Sequence, residues 1–555
     1  MIKGASKAER VNKWYEHFNN LLGKENETDP NETFQPEPIF NNLDIDDGEF
    51  TLDEVRRAKK LLKDGKHPGP DNIPGEVLKN CELDDIILDF ANRLMNENLK
   101  PDQWSEIDIL PLPKSGDLSN TTNYRGISLS SMVAKLINKM ILNRIQAKLD
   151  THLRPNQNGF RPHRSTTSQI LALRRIIEGV NSRNMKAVIV YVDFKKAFDS
   201  IDRRKMIAIL KAYDVPINLR NAIAKFYEKT KAKVISPDGE TEFFYVKKGV
   251  LQGDTLAPYL FVIVIDYLLR MTFKDKEDDL GLEIQQRKSR RHKAIKVTDL
   301  DYADDLALIS EQIDQAQESL NRLETEAEVV GLYCNAKKTE VQHFNQDAPV
   351  HITAKNGEIL KNVNNFKYLG SWTKSSEDDF NVRKALAWNT CHKLNKIWKS
   401  SLPRANKIRV FLATVESVLL YGAETWTITK ALQKKIDGCY TRMLRMALNI
   451  TWQSHTTNEV LYGNLPKVTA KIRKRRMELA GHLIRHEEEV ANKLVLWQPT
   501  SGRPSRGRKK RTYIENLFED TGTEDVSKLI NLMKDRNTWK DRVKESLGRP
   551  GGRPR

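Results

Sequence analysis

Residues 8 to 23 (AERVNKWYEHFNNLLG) place Val11, Trp14, Tyr15, Phe18, Leu21 and Leu22 three and four positions apart, the repeat of one helix face. A polar stretch rich in Asn, Glu and Pro follows over residues 24 to 48 and reads as a linker. Thr51 with Glu54 three positions on is a helix-start signature, so a second helix is predicted through EVRRAKKLLK, stopping at the turn-forming KHPGPDNIPG. From residue 105 onward short apolar runs broken by turns alternate with helical periods. The best strands are Ala187–Val192, Phe243–Val246 and the apolar segment after Asp304, with helices near 131–149, 166–180, 203–212 and 256–272. After residue 376 the pattern is mostly helical, with Trp388, Leu394, Ile397 and Trp398 on one stripe. Two basic Gly/Pro-rich stretches near the end, SGRPSRGRKKR and GRPGGRPR, are expected to be flexible. No internal repeat is visible.

Composition adds three constraints. A chain of 555 residues with 39% hydrophobic positions is long and apolar enough for several folded domains. The excess of 92 Lys+Arg over 74 Asp+Glu, a net charge of +18, points to a polyanionic partner, nucleic acid before an anionic membrane, although a basic solvated surface has the same composition. The four cysteines, Cys81, Cys334, Cys391 and Cys439, are too widely spaced for a zinc knuckle or a disulfide framework and fit a reducing compartment. No apolar run approaches membrane-spanning length and the first residues contain no signal-peptide core, so no membrane association is expected.

Two segments carry chemistry. In YVDFKKAFDSID (191 to 202) a β-rich apolar run ends in Asp193, which puts a carboxylate at the C-terminal end of a buried strand. In DYADDLALIS (301 to 310) the adjacent acids Asp304 and Asp305 stand between apolar flanks, as in a tight hairpin turn. Neighbouring carboxylates in an apolar setting repel and lose solvation, so a neutralising partner is needed. Magnesium, which prefers carboxylate and phosphate oxygens, is the simplest one, and two such ions stabilise the attacking and leaving oxygens of phosphoryl transfer. Any one of these acids alone would also pass as an ordinary turn residue.

YADD preceded by VDFKKAFDSID resembles the palm signature of reverse transcriptases. Between them KKGVLQGDTLAPYLF (247 to 261) resembles the glycine-glutamine motif of that superfamily. LPLPKSGDLSNTTNYRGISLSS (110 to 131) and PNQNGFRPHRSTTSQI (155 to 170) resemble the fingers motifs of its non-LTR and group II intron branch. GLYCNAKKTEV (331 to 341) and NFKYLGSW (365 to 372) resemble the motif behind the palm and the primer grip. Order and spacing match over residues 50 to 375, which identifies the chain as similar to the reverse transcriptases of non-LTR (LINE-type) retrotransposons.

The resemblance implies an α+β right-hand polymerase fold with an antiparallel palm sheet and a mostly helical C-terminal region. It implies that Asp193 and Asp304 hold two Mg²⁺ ions, or Mn²⁺, with Asp305 in support, and that Phe198 is the steric gate against a ribose 2′-hydroxyl. Gln252 and Gly253 would contact the incoming nucleotide, and Lys114 and Arg125 its triphosphate, where Arg can bind oxygens bidentately. Lys338, with Lys337 beside it as the competing candidate, would protonate the pyrophosphate. Phe366, Tyr368, Leu369 and Gly370 would form the primer grip, and Asn158, Gly159, Phe160 and Arg161 would contact the template backbone or buttress its loop. The implied partners are an RNA template, a DNA primer or target, and dNTPs.

The resemblance also sets expected boundaries: a helical N-terminal extension and linker over 1–100, fingers over 101–185, palm through primer grip over 186–375, a helical thumb over 376–460, and a basic nucleic-acid-binding tail over 461–555. KKLLKDGKHPGPDNIPGEVLKN (59 to 80), LLYGAETW (419 to 426) and RRMELAGHLIRH (475 to 486) resemble flanking segments of such elements. Residues 467 to 511 hold 14 Lys/Arg against 4 Asp/Glu, enough to neutralise phosphates with little sequence information. GRP between basic residues also resembles minor-groove binders, and the same tails or RKSRRHK (287 to 293) could direct nuclear import, giving an expected location in nucleus and cytoplasm. No apurinic-type or restriction-like endonuclease, zinc knuckle or RNase H carboxylate set is recognisable. The expectation is therefore a polymerase whose endonuclease is supplied by another chain or missing. The alternative is a catalytically silent nucleic-acid-binding relic. A maturase is disfavoured for want of a recognisable maturase thumb and tail.

Overall fold

The strand expected at Ala187–Val192 lies at the centre of a five-stranded sheet, with all six of its residues buried. In this computed structural model the described residues are all except 1, 3, 5, 26–33, 98, 115, 288, 290–293, 506, 508 and 547–555. They form two units, each discontinuous in sequence: 1–162 with 193–274 and 321–335, and 163–192 with 275–320 and 336–555. Helices and sheets are mixed in both, the α+β architecture expected from the alternating pattern.

In the first unit the strand Glu106–Pro113 pairs antiparallel with Tyr124–Leu129 and parallel with Lys231–Ser236, which in turn pairs with Gly239–Glu240 and Phe244–Tyr245. The predicted N-terminal helix forms as Lys7–Leu22, capped by Ser6, and lays Trp14 and Phe18 against Ile107, Ile109, Val234 and Phe244. Gly126 admits the Phe18 ring, since a Cβ there would stand 2.6 Å from it. The helix Leu52–Lys60 carries the capping box read from Thr51 and Glu54.

The polar stretch before that helix is not loose where it is described. Ile39 N–H donates to the Ala212 carbonyl at 2.8 Å and Leu43 N–H to Asp214 Oδ2 at 2.7 Å. Arg144 donates to Glu54 at 2.7 and 2.9 Å and to the Gly48 and Glu49 carbonyls at 2.7 and 2.8 Å. Its guanidinium also lies over the Phe50 ring at 4.1 Å. A buried arginine thus supplies the donors that an extended segment has no ladder to provide.

In the second unit the sheet order is Lys361–Asn362, Glu340–Phe344, Ala187–Val192, Asp305–Ser310, Asp299–Tyr302. Ala187–Val192 is antiparallel to both neighbours, with Leu306 opposite Val192 on one side and Glu340 opposite Tyr191 on the other. The helix Thr166–Ser182, capped by Ser165, contributes Leu171, Leu173, Ile176 and Val180 to the core on this sheet. A second core gathers Phe380, Trp398, Phe411, Trp426 and Tyr440 from the helical stretch after 376, with the predicted stripe of Trp388, Leu394 and Ile397 packed on it.

The C-terminal region is mostly helical, as expected. Helices Val468–Arg485, Val490–Val495, Tyr513–Thr521, Val526–Lys534 and Arg536–Glu545 join the core of the Ala187–Val192 sheet through Met477, Leu483, Trp497 and Trp539. Two glycines make room for the tryptophans: a Cβ on Gly179 would stand 2.2 Å from the Trp497 ring, and one on Gly481 would stand 2.1 Å from Trp539 Nε1. Of the first basic stretch, Ser505 N–H donates to the Ser182 carbonyl at 3.0 Å, and a Cβ on Gly502 would stand 2.3 Å from the Arg183 carbonyl. That part of 501–511 is therefore docked rather than flexible. GRPGGRPR and, of the 287–293 stretch, all but Arg287 and Ser289 lie outside the described residues. Among the described residues no helix is long and apolar enough to cross a membrane.

Gly481→Ala is expected to destabilise the protein by about 1–3 kcal/mol through overpacking against Trp539. Gly438→Ala, in a helix with nothing within 4 Å of the added Cβ, is expected to raise stability by a few tenths to about 1 kcal/mol. Urea midpoints of the two variants check both signs.

Candidate functional site

Asp304 and Asp305 sit where the hairpin reading placed them. Asp305 pairs with Tyr302 across a two-residue turn of Ala303 and Asp304. Ala303 takes φ 56°, a sign that non-glycine residues seldom adopt and that two-residue hairpin turns demand. Asp304 is half-buried and Asp305 exposed, while Asp299 and Asp301 further along the hairpin are buried. The pairing of Leu306 with Val192 brings this turn level with the C-terminal end of the central strand. Asp193 is the next residue of the chain after Val192. Lys338 is exposed in the turn that leads into Glu340–Phe344, whose first residue pairs with Tyr191, and Lys337 beside it is exposed as well.

In the first unit Asp193 is half-buried and is held from both sides by Asn335, whose N–H donates to the Asp193 carbonyl at 2.7 Å and whose Nδ2 donates to Oδ2 at 3.2 Å. Phe198 stacks on buried Phe261 with centroids 4.1 Å apart and meets Phe160 edge-on at 6.0 Å. The expected gate and one expected template residue are therefore members of one aromatic cluster.

Gln252 and Gly253 lie on a loop fastened to the strand Tyr124–Leu129. Ser128 N–H donates to the Gln252 carbonyl at 2.6 Å, and a Cβ on Gly253, whose φ is 118°, would stand 2.5 Å from the Ser128 carbonyl. Only glycine fits that approach. The Gln252 amide donates to Asp199 Oδ1 at 2.7 Å. Burial pushes the Asp199 carboxyl up to about 6, opposed by that hydrogen bond and by the positive charges of Lys196, Lys114 and Arg125. The same field reaches His17 at the end of the first helix, where burial, then Lys196 and Lys114, push the imidazole down to about 4. Lys114 and Arg125 are themselves exposed. The expected triphosphate residues and the expected nucleotide-contact loop therefore share one positively charged neighbourhood.

The expected template loop divides. Asn158 and Gly159 are buried and Phe160 is exposed with φ 55°. Arg161 is buried: it donates to Asp150 Oδ1 at 3.1 Å and to the Arg154 and Gln157 carbonyls at 2.8 and 2.9 Å. Its guanidinium holds the loop, and Phe160 is the exposed member of the four.

The expected primer grip is a hairpin, Lys367–Tyr368 against Ser371–Trp372. Its two turn residues, Leu369 and Gly370, have φ 46° and 82°, as a type I′ turn requires. Phe366 stacks on Tyr191 of the central strand at 3.8 Å, and the Tyr368 hydroxyl donates to the Leu300 carbonyl at 3.1 Å. The hairpin is thus bound to the two strands that carry the acids' end of the sheet.

Sequence reasoning passed over Asp199, although it is the second acid of YVDFKKAFDSID, and Asp379, for which no local signal exists. Whether Asp193, Asp304 and Asp305 suit a metal is decided by their chemistry. All three are hard oxygen donors, accessible at strand ends, with no imidazole or thiolate among them, a set that suits Mg²⁺ or Mn²⁺ rather than zinc.

Residues 112–373 match the family described as reverse transcriptase (RNA-dependent DNA polymerase). The chain is 25% identical over 489 residues to a probable RNA-directed DNA polymerase from transposon BS of Drosophila melanogaster, covering 84% of this chain and 51% of that protein. It is 24% identical over 493 residues to the RNA-directed DNA polymerase from mobile element jockey of Drosophila funebris, covering 84% and 52%. It is 22% identical over 431 residues to the Pol polyprotein from type-1 retrotransposable element R2 of Popillia japonica, covering 74% and 56%. The chain spans about half the length of these relatives. Residues 112–373 therefore carry a reverse transcriptase domain, and the chain is similar over most of its length to RNA-directed DNA polymerases of transposons and retrotransposable elements.

Proposed function

We propose that this chain extends a DNA primer on an RNA template. The observation that carries the reading is the strand register, which sets the Asp304–Asp305 turn level with Val192, the residue before Asp193. In this reading Asp193 and Asp304 hold two divalent cations with Asp305 in support. Bound there, magnesium or manganese supplies positive charge to the oxygens of the reacting phosphate. The primer 3′-hydroxyl oxygen bonds to the α-phosphorus of a dNTP, the bond to the pyrophosphate oxygen breaks, the hydroxyl proton passes to solvent water, and Lys338 gives a proton to the pyrophosphate.

Lys114 and Arg125 orient the triphosphate, and the Gln252–Gly253 loop, kept in place by Ser128 and Asp199, bears on the nucleotide. Phe198, backed by Phe261, closes the space a ribose 2′-hydroxyl needs. The 366–370 hairpin places the primer terminus, and Phe160 faces the template from a loop that Arg161 braces. Fingers, palm and thumb follow the boundaries set out from the sequence. A nick to prime on would come from another activity, and work on chromosomal DNA would take the protein to the nucleus after its synthesis in the cytoplasm.

Extension of a DNA primer on an RNA template with dNTPs and Mg²⁺ is expected for the wild-type protein and reduced at least on the order of 10²-fold in Asp304→Ala, which removes charge stabilisation at the reacting phosphate. No extension by either protein, with template–primer still bound, would make the chain a silent binding protein instead. Phe198→Val is expected to keep dNTP incorporation while lowering discrimination against ribonucleotides by about tenfold or more, the scale of one lost steric contact. An unchanged dNTP-to-rNTP ratio would remove Phe198 from the gate.

A further inference from the structure

The segment YGAETW (421 to 426) has no role in the chemistry proposed above, yet it touches the primer-grip hairpin at several points. The Tyr421 hydroxyl donates to the Leu369 carbonyl at 2.8 Å. Gly422, at φ 69°, lies 3.5 Å (from an ideal Cβ) from the Ser371 hydroxyl. Arg383, on the helix Ser376–Lys393, donates to the Gly370 carbonyl and lies 4.3 Å over the Tyr421 ring. Both carbonyls of the I′ turn are thereby held from outside the hairpin.

The second strand of the hairpin is held by Asp379, which is fully buried. Its carboxylate accepts from the Ser371 hydroxyl at 2.7 Å, the Trp372 N–H at 3.0 Å, the Arg174 guanidinium at 2.9 Å and the Trp426 indole at 2.8 Å. Four donors around one carboxylate, one of them cationic, satisfy a charge that would otherwise be costly to bury. They also tie four elements to one point: the hairpin, the helix Thr166–Ser182, the helix Ser376–Lys393 and the YGAETW segment. A two-stranded hairpin of this length is not stable by itself. Its conformation is set by these outside contacts.

We propose that Asp379, Tyr421 and Arg383 form a clamp that fixes the primer grip, and that they are positioning residues for the primer 3′-hydroxyl. The inference rests on the polymerase reading and on the hairpin being its primer grip. None of the three residues reaches the reacting atoms in this role. They set where the hairpin holds the hydroxyl, and a displacement of about 1 Å in a reacting group can cost on the order of 10²-fold in rate.

The test uses the full chain with an RNA template–DNA primer, dNTPs and Mg²⁺, and compares single-turnover incorporation with template–primer affinity and thermal midpoint. Tyr421→Phe removes one hydroxyl and keeps the ring under Arg383. Asp379→Asn keeps the shape and removes the charge. Both are expected to lower the incorporation rate about tenfold or more, with template–primer affinity and the dNTP-to-rNTP ratio unchanged, as for a misplaced terminus. Should Asp379→Asn fail to fold, Tyr421→Phe decides alone. An unchanged rate in Tyr421→Phe, or a loss matched by weaker binding or a lower midpoint, overturns the clamp. Absence of extension by the wild-type protein would bring down the polymerase reading and the clamp together, whereas extension equal in wild type and Tyr421→Phe would bring down the clamp alone.

Discussion

The antiparallel pairing of Ala187–Val192 with its two neighbours is the constraint on which the rest depends. Side chains alternate along a strand with a period of two, so a slip of one residue in register would exchange the faces of the whole strand. Here such a slip is blocked on both sides, because all six residues are buried and Ile189 and Tyr191 pack into the core on one face. The same register fixes the Asp304–Asp305 turn beside Val192 and sets Tyr191 beneath Phe366. Apolar packing therefore determines where the acids stand. A carboxylate cluster would not assemble by itself, since its members repel one another.

Buried arginines solve the complementary problem of the irregular segments. Arg144 gathers the 46–50 segment, Arg161 the 150–157 loop, and Arg203 the carbonyls of Tyr227, Val246 and Gly249 at 2.6 to 3.1 Å. Burial lowers the Arg203 pKa to about 10, and the group remains a cation at neutral pH. Each guanidinium offers five donors in a fixed plane, which matches the several unpaired carbonyls that a loop turns inward. The loop that carries Gln252 and Gly253 follows Gly249 and inherits its position from Arg203.

Much of this was legible in the sequence, for a definite reason. The helices Met132–Leu149, Thr166–Ser182, Arg203–Ala212 and Ala257–Phe273 lie within two residues of where periodicity put them, because their faces are set by local repeats. The hairpin at Asp304 and Asp305 was readable from acids between apolar flanks. What stayed hidden depends on partners distant in the chain. Asp199 answers to Gln252, 53 residues away, and Asp379 to Arg174, 205 residues away. For Arg161 the sequence left template contact and loop buttressing open, and its acceptors, Asp150 and two carbonyls of its own loop, could not be read from it. The stretch SGRPSRGRKKR looked flexible from its Gly and Pro content, and its contacts with Ser182 and Arg183 had no local signal. Only Trp497 and Trp539 explain why Gly179 and Gly481 must lack a side chain.

The same long-range folding changes what the basic C-terminal composition means. Of the cations between 467 and 511, Lys471 lies 2.6 Å from Glu416, Arg473 and Arg476 lie 3.1 and 2.7 Å from Asp520, and Lys509 lies 2.8 Å from Glu515. Arg476 is buried against Asp520, so it is a structural ion pair, and its removal would leave Asp520 with Arg473 as its one cationic partner in this stretch. A cation matched by a carboxylate releases fewer counterions on meeting a phosphate, because the field it would neutralise is already partly cancelled. The count of 14 Lys/Arg is therefore an upper bound on phosphate contacts in this stretch. The cations on the helix Val468–Arg485 are carried by a folded element whose orientation is fixed by the core beneath it.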